Sequence, residues 1–88
     1  MVECTVTVKN RAGLHTRPAA MLVKLSAKYS SDIYLERDGM NINAKSIIGV
    51  MTLAAEQGAT LTLRISGNDE MAAQKEIIDF FQQGFGEL

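Results

Sequence analysis

Residues 33–44 have the sequence IYLERDGMNINA. Apolar and polar residues alternate on both sides of Asp38 and Gly39, which is the pattern of two half-buried strands. An Asp-Gly pair is frequent in tight hairpin turns, because glycine readily adopts a positive φ. The stretch therefore predicts an antiparallel β-hairpin.

Two further segments, residues 2–8 and 60–66, alternate in the same way and predict one strand on either side of the hairpin in the sequence. In the first of them the only cysteine, Cys4, falls at an apolar position, so we expect it to be a small buried hydrophobic residue. A single cysteine excludes an internal disulfide.

Three segments have a helical period. The first covers residues 16–29, with Pro18, Leu22, Leu25 and Tyr29 on its apolar face. A short helix is expected from Ile47 to about Leu53 with Ser46 as its N-cap. The last helix is expected from Glu70 to about Gln83, with Asp69 as its N-cap residue and Gly84 as its stop.

The predicted element order is β-α-β-β-α-β-α. Each strand has one polar face, and sheets with one wet face are usually antiparallel with helices on the other face. We therefore expect an α+β open-faced sandwich, in which three helices cover one face of a four-stranded antiparallel sheet. A length of 88 residues suits one domain over 1–88.

The composition restricts the class of protein. The chain is 47% hydrophobic and 22% charged, with a formal net charge of -1, so no overall basic footprint for nucleic acid is present. No apolar run approaches the roughly 18 residues of a membrane span, and the first residues already alternate like a strand instead of forming a signal peptide. These features predict a cytoplasmic protein without membrane insertion.

The segment Gly13–Ala19, GLHTRPA, contains the only histidine. His15 is expected where a glycine-containing loop meets the start of a helix, where unpaired amides and the helix dipole favour an anion. Arg17 adds a positive charge, and imidazole is a nucleophile near neutral pH. This combination suits reversible phosphoryl transfer, although a histidine here is also compatible with a simple exposed cap. A catalytic triad is disfavoured because the sequence has no second histidine and Cys4 falls inside a strand. A zinc site is disfavoured because one histidine and one cysteine do not supply the usual ligand set.

The same segment closely resembles the active-site signature of the histidine-containing phosphocarrier (HPr) family of the bacterial phosphoenolpyruvate-dependent sugar phosphotransferase system. Residues 45–53, KSIIGVMTL, resemble the regulatory serine segment of that family, and residues 67–70, GNDE, match the turn before its final helix. With the length and the element order, the resemblance covers essentially the whole chain.

The resemblance implies a stoichiometric phosphoryl carrier, not an enzyme, without a cofactor or metal. His15 would accept a phosphoryl group on Nδ1 from phosphorylated enzyme I and pass it to IIA-type permease components. Arg17 would neutralise the phosphoryl group, and the backbone amides of Thr16 and Arg17 would complete its cradle. Family members often have alanine at the position of Thr16, so the effect of Thr16 on transfer is open.

The resemblance also implies regulation and docking. Ser46 would be a target of HPr kinase/phosphorylase, with a transcriptional regulator as a further partner, in addition to its role as a cap. Half of the apolar residues after Ser46 could belong to the core, but the family places an exposed docking patch there. Lysines of the first helix, Lys24 and Lys28, could steer acidic partners. The expected docking residues are Met21, Lys24, Ile47, Ile48 and Met51.

Three other functions are disfavoured. A purely regulatory relative is disfavoured because the regulatory paralogues lack the active-site histidine, whereas this chain has His15. A nucleic-acid-binding module is disfavoured because the predicted wet face of the sheet lacks aromatic stacking residues. A branch serving nitrogen regulation is disfavoured by the Ser46 segment. A carrier must keep its docking patch free, so we expect a monomer; the sugars served depend on the partners.

Overall fold

The computed structural model describes residues 1–87. Its elements, in chain order, are β1 (Val2–Thr7), α1 (Thr16–Ala27), β2 (Asp32–Arg37), β3 (Met40–Asn43), α2 (Ile47–Thr52), β4 (Thr60–Ser66) and α3 (Glu70–Gln82). A 3₁₀ turn over Gly84–Gly86 follows α3. The predicted order of strands and helices is confirmed, and the 3₁₀ turn is an addition.

The four strands form one sheet in the order β1-β4-β2-β3. All three neighbouring pairs are antiparallel. The central register places Leu63 of β4 opposite Cys4 of β1 and Leu35 of β2. Asp38 and Gly39 turn the hairpin with φ values of 50° and 83°, as the Asp-Gly pair predicts. The expected α+β open-faced sandwich is confirmed.

The core lies between one face of the sheet and the helices. It contains the inward residues of the strands and of all three helices, including Val6, Leu22, Ile33, Leu35, Val50, Leu61, Leu63, Ile65, Ile77 and Phe81. The helix α1 ends at Ala27, two residues before the predicted end. Of the predicted apolar face, Leu25 is only half-buried, as is Tyr29 beyond the helix, while Ala19 and Ser26 are fully buried.

Two strand residues are less buried than the alternation predicts. Cys4 is half-buried, because β1 is an edge strand of the sheet. Met40 is 47% exposed, because it follows the hairpin turn at the start of β3, the other edge strand. The alternation therefore predicts correctly which face of the sheet each residue lies on, but it overestimates the burial of residues in the edge strands of the sheet.

The start of α3 is stabilised differently from the prediction. Asp69 occupies the N-cap position, but its side chain does not cap the helix. Its carboxylate instead accepts hydrogen bonds from the backbone amides of Ser30 (2.9 Å) and Ser31 (3.0 Å), and from both seryl hydroxyls. Glu70 accepts a hydrogen bond from the Gly67 amide (3.1 Å). Asp69 thus ties the beginning of α3 to the segment between α1 and β2.

None of the helices within residues 1–87 combines the length and apolar character that a membrane span requires. The same part of the chain contains no group of three or more His, Cys, Asp or Glu side chains that could hold a metal ion.

Candidate functional site

His15 is the N-cap residue of α1. Its backbone is extended, with φ -81° and ψ -171°, and its carbonyl oxygen accepts the hydrogen bond of the Ala19 amide (2.9 Å). The amides of Thr16 and Arg17 precede this first intrahelical hydrogen bond, and Pro18 has no amide hydrogen. The imidazole is 41% exposed, so a partner protein can reach it at the positive end of the helix dipole.

The loop before His15 is fixed by a close backbone contact. Gly13 has a φ of +76°, and a Cβ atom at this position would lie 2.6 Å from the carbonyl oxygen of Ala55. The amide of Leu14 donates a hydrogen bond to the same oxygen (2.9 Å). Only glycine fits this conformation and this approach. The loop is therefore anchored to the segment after α2, which sets the direction in which the chain enters α1.

Glu87 joins the site from the other end of the chain. Its Oε2 atom lies 2.9 Å from Nε2 of His15 and 2.8 Å from Nη2 of Arg17. Its Oε1 atom lies 3.1 Å from the same His15 nitrogen and accepts a hydrogen bond from Nδ2 of Asn10 (2.7 Å). One carboxylate thus connects the two predicted site residues, His15 and Arg17, with the loop that precedes them.

Asn10 is the buried support of this arrangement. It is only 1% exposed, and its Nδ2 atom also donates a hydrogen bond to the Gly13 carbonyl oxygen (2.8 Å). The hydrogen bonds from Asn10, Arg17 and His15 lower the pKa of Glu87 to about 2, and the bond from Asn10 contributes most. At neutral pH Glu87 is therefore an ionised carboxylate, which accepts hydrogen bonds and donates none.

The 3₁₀ turn places Glu87 at the site. Phe85 adopts a φ of 60° in this turn and is 1% exposed. Its ring centroid lies 5.0 Å from those of Phe80 and Phe81 in α3. Burial of Phe85 folds the chain back after α3, so the following carboxylate reaches the N-terminal end of α1.

Sequence reasoning missed both Asn10 and Glu87. The available signal was the Gly-Phe-Gly sequence at 84–86, an apolar residue between two turn-forming glycines, followed by an acid. That pattern indicates a structured turn after α3 but does not reveal which residue the acid contacts.

Ser46 caps α2 as predicted. Its backbone is extended, and its Oγ atom accepts a hydrogen bond from the Gly49 amide (3.1 Å). The residue is exposed. The hydroxyl is therefore both a helix cap and accessible to a modifying enzyme.

The predicted docking residues are all on the surface. Met21, Ile47 and Met51 are about equally exposed at 41%, 41% and 40%, and Ile48 is 74% exposed. The buried residue of α2 is Val50, so none of the three apolar side chains after Ser46 suggested for docking belongs to the core. The helices that carry these side chains, α1 and α2, pack against each other.

The two lysines of the first helical segment differ. Lys24 is exposed in the last turn of α1. Lys28 forms an ion pair with Glu76 of α3, with Nζ 2.7 Å from Oε2. Its charge is therefore partly neutralised within the fold, which makes Lys24 the better candidate for steering acidic partners.

Comparison with known proteins identifies the family. The family model described as the PTS HPr component phosphorylation site matches residues 2–83. The fold and site define a small protein with an exposed histidine at a helix N-terminus, next to an arginine. The chain belongs to the HPr family of phosphocarrier proteins of the phosphotransferase system.

Two curated relatives illustrate the range of the family. The phosphocarrier protein HPr of Treponema pallidum is 49% identical over 87 residues, which cover 99% of each chain. The HPr-like protein Crh of Halalkalibacterium halodurans is 46% identical over 83 residues, or 94% of this chain and 99% of the relative. The chain is thus similar both to proteins named as carriers and to one named only as HPr-like.

Solved structures of HPr from Thermoanaerobacter tengcongensis are similar in fold. One, of a variant named HPr-C-His, matches with a TM-score of 0.96 at 44% identity and covers 100% of this chain and 99% of that chain. Another, described as an HPr dimer, matches with a TM-score of 0.79 at 45% identity and covers 99% of this chain and 100% of that chain. A dimeric form therefore exists among the relatives.

Proposed function

We propose that His15 accepts a phosphoryl group on Nδ1 from phosphorylated enzyme I and passes it to IIA-type sugar permease components. The observation that carries this proposal is the pairing of Nε2 with the Glu87 carboxylate, 2.9 Å away, on an imidazole that stays 41% exposed. With Nε2 engaged in this way, Nδ1 is the nitrogen for nucleophilic attack.

The neighbouring groups suit a carrier. Phosphoryl transfer depends mainly on positioning and charge stabilisation. Arg17 offers a guanidinium next to His15, and the amides of Thr16 and Arg17 stand at the start of α1. The protein then acts stoichiometrically and needs no cofactor, because donor and acceptor proteins supply the rest of each transfer site.

The exposed apolar residues of α1 and α2 form the proposed docking patch, which consists of Met21, Ile47, Ile48 and Met51, with Lys24 beside it. Flexible methionine side chains adapt to differently shaped surfaces, which suits a protein that binds several partners in turn. The patch lies on the two helices that flank the site: α1 begins next to His15, and α2 is followed by Ala55, which anchors the site loop.

Ser46 is the proposed regulatory site, modified by HPr kinase/phosphorylase. A phosphoryl group there adds about -1.5 to -2 charges at pH 7. The N-terminus of α2 tolerates this charge, while the docking patch beside it becomes repulsive to acidic partners. Modification would then reduce transfer without unfolding the protein, and the modified form would serve a transcriptional regulator.

A purely regulatory role is the second candidate, favoured by the 46% identity to an HPr-like protein named Crh. The presence of His15, together with the contacts that Glu87 and Arg17 make around it, supports the carrier role. We also propose a cytoplasmic, monomeric protein, because an uncovered patch allows successive partners to bind. Sedimentation at micromolar concentration tests the monomer against the dimeric form known for a relative.

The test of the proposed function is transfer from labelled phosphoenolpyruvate through enzyme I. The protein should acquire label that is lost in acid and retained in alkali, as expected for phosphohistidine. His15→Ala should not be labelled, whereas Ser46→Ala should be labelled like the wild type. Labelling of His15→Ala that persists would exclude His15 as the acceptor.

A further inference from the structure

We propose that Glu87, held by Asn10, keeps a proton on Nε2 of His15 throughout the transfer cycle and thereby makes Nδ1 both the nucleophile and a good leaving group. This inference rests on the proposed function of His15. It assigns Asn10 and Glu87 as positioning residues for the reaction, since neither would touch the phosphoryl group on Nδ1.

The contact with Glu87 defines the tautomer of His15. Both oxygens of Glu87 face Nε2 of His15, at 2.9 and 3.1 Å. An ionised carboxylate has no proton to donate, so this contact is a hydrogen bond only when Nε2 carries the hydrogen. In the neutral ring the other nitrogen, Nδ1, then has the free lone pair.

The carboxylate of Glu87 is fixed from several sides. Oε1 accepts from Nδ2 of Asn10 (2.7 Å), and Oε2 accepts from Nη2 of Arg17 (2.8 Å). Asn10 is 1% exposed and is bonded to Gly13 as well, so it cannot turn away without breaking the loop. The burial of Phe85 holds the chain just before Glu87. The carboxylate is therefore preorganised to receive the Nε2 hydrogen.

The hydrogen on Nε2 of His15 affects both the inward and the outward transfer. In the inward transfer the Nδ1 lone pair forms the bond to phosphorus, while the bond from phosphorus to the phosphorylated atom of enzyme I breaks and its electron pair stays on enzyme I. His15 becomes a phosphorylated imidazolium that keeps the Nε2 hydrogen, and the Glu87 carboxylate balances its positive charge. No proton has to leave the ring.

In the outward transfer the Nδ1–phosphorus bond breaks and its electron pair returns to Nδ1. With the hydrogen on Nε2, the leaving group is neutral imidazole; without it, the leaving group would be the much more basic imidazolate. Glu87 therefore favours the outward step by retaining the hydrogen on Nε2. The charge-assisted hydrogen bond from Nε2 of His15 to Glu87 therefore supports both the inward and the outward transfer.

Glu87→Gln is the informative variant, because an amide cannot satisfy all of its present partners. One of its two positions becomes an NH₂ group, which would face a donor nitrogen of either Asn10 or Arg17. Glu87→Asp keeps the carboxylate and should restore part of the effect. Glu3→Gln is the matched control, since Glu3 loses the same charge in an ion pair with Arg64 on the open face of the sheet.

The first readout is ¹⁵N NMR of the unphosphorylated protein about two pH units above the ordinary imidazole pKa of ~6.5. The wild type and Glu3→Gln should carry the hydrogen on Nε2, with slow exchange against solvent. Glu87→Gln should show a smaller Nε2-protonated fraction and faster exchange. A wild-type ring protonated on Nδ1 would overturn the proposal without the use of any variant.

The second readout is the rate of transfer from the phosphorylated protein back to enzyme I. Glu87→Gln should be slower by roughly tenfold, the size expected for one hydrogen bond to a charged group, and Glu87→Asp should lie between it and the wild type. Equal tautomer fractions or equal rates in Glu87→Gln and the wild type would overturn the inference. Wild-type protein that accepts no label at all would instead overturn the proposed function.

Discussion

The guanidinium of Arg17 is paired with the carboxylate of Glu87, with Nη2 2.8 Å from Oε2 and Nε 3.3 Å from the same oxygen. The side chain of Arg17 is nevertheless 62% exposed. This geometry keeps the guanidinium beside His15 before a phosphoryl group arrives. An incoming phosphoryl group offers further acceptor oxygens to the donors that Glu87 leaves free.

Arg17→Ala should slow acceptance of the phosphoryl group from enzyme I by roughly tenfold or more, because a hydrogen-bond donor to the anion is lost. Arg17→Lys should recover only part of the rate, since an ammonium group keeps the charge but not the planar fork. Stopped-flow or quenched-flow transfer measurements with the two variants check this. Equal rates in Arg17→Ala and the wild type would contradict a role of Arg17 in transfer.

Ile48 is the most exposed residue of the proposed docking patch at 74%. Ile48→Ser should raise the KM that enzyme I has for this protein as the phosphoryl acceptor. The thermal stability of the variant should be nearly unchanged, because the Ile48 side chain buries little area in the free protein. Met71→Ser is the matched control, since Met71 is 65% exposed in the first turn of α3, and that helix reaches the site only at its other end. A similar KM change in both variants would argue against a specific patch.

Ser46→Asp should keep the cap of α2 and add a negative charge beside the docking patch. The variant should therefore unfold at nearly the wild-type temperature but show a higher KM for transfer. Ser46→Ala should instead lose the hydrogen bond to the Gly49 amide and about 1 kcal/mol of stability, with transfer retained. Normal transfer by Ser46→Asp would show that charge at this cap does not regulate docking.

Asp69 is expected to make folding sensitive to acid. Hydrogen bonds, first of all from the Ser31 hydroxyl and then from the Ser30 amide, lower its pKa from 3.8 to about 2. Because the folded-state pKa lies below the unfolded-state value, Asp69 stabilises the fold above about pH 4, and this contribution disappears as the pH falls towards 2.

Asp69→Asn should lower the stability at pH 7, since the amide leaves some of these donors without an acceptor, and should weaken the pH dependence between 4 and 2. Urea unfolding at several pH values measures both effects. Asp32→Asn, at an exposed residue of β2, serves as the comparison. If the free energy of unfolding of Asp69→Asn changed with pH as steeply as that of the wild type, other carboxyl groups, including Glu87, would control the acid transition.

The sequence predicts the fold well because its signals are local. Alternation defines the four strands. The Asp38-Gly39 pair defines the hairpin turn, and both of these residues have a positive φ. Ser46 is recognisable as a cap because the partner of its hydroxyl, the Gly49 amide, is only three residues away. His15 and Arg17 are recognisable because they lie within one short motif.

The parts that escaped prediction depend on contacts between distant residues. Glu87 is 72 residues from His15 and 77 from Asn10 in sequence. Asp69 looks like a cap by position, but the donors on Ser30 and Ser31, brought close by the fold, compete successfully for its carboxylate. Such pairings follow from tertiary packing, which sequence periodicity does not reveal.

The most direct test of the carrier account is the position of the phosphoryl group after reaction with enzyme I and phosphoenolpyruvate. NMR of the ¹⁵N-labelled, phosphorylated protein in mild alkali should show one phosphoryl group, coupled to Nδ1 of His15, and addition of dephosphorylated enzyme I with pyruvate should remove it. A phosphoryl group on Nε2 or on any other residue, or one that enzyme I and pyruvate do not remove, would contradict the account.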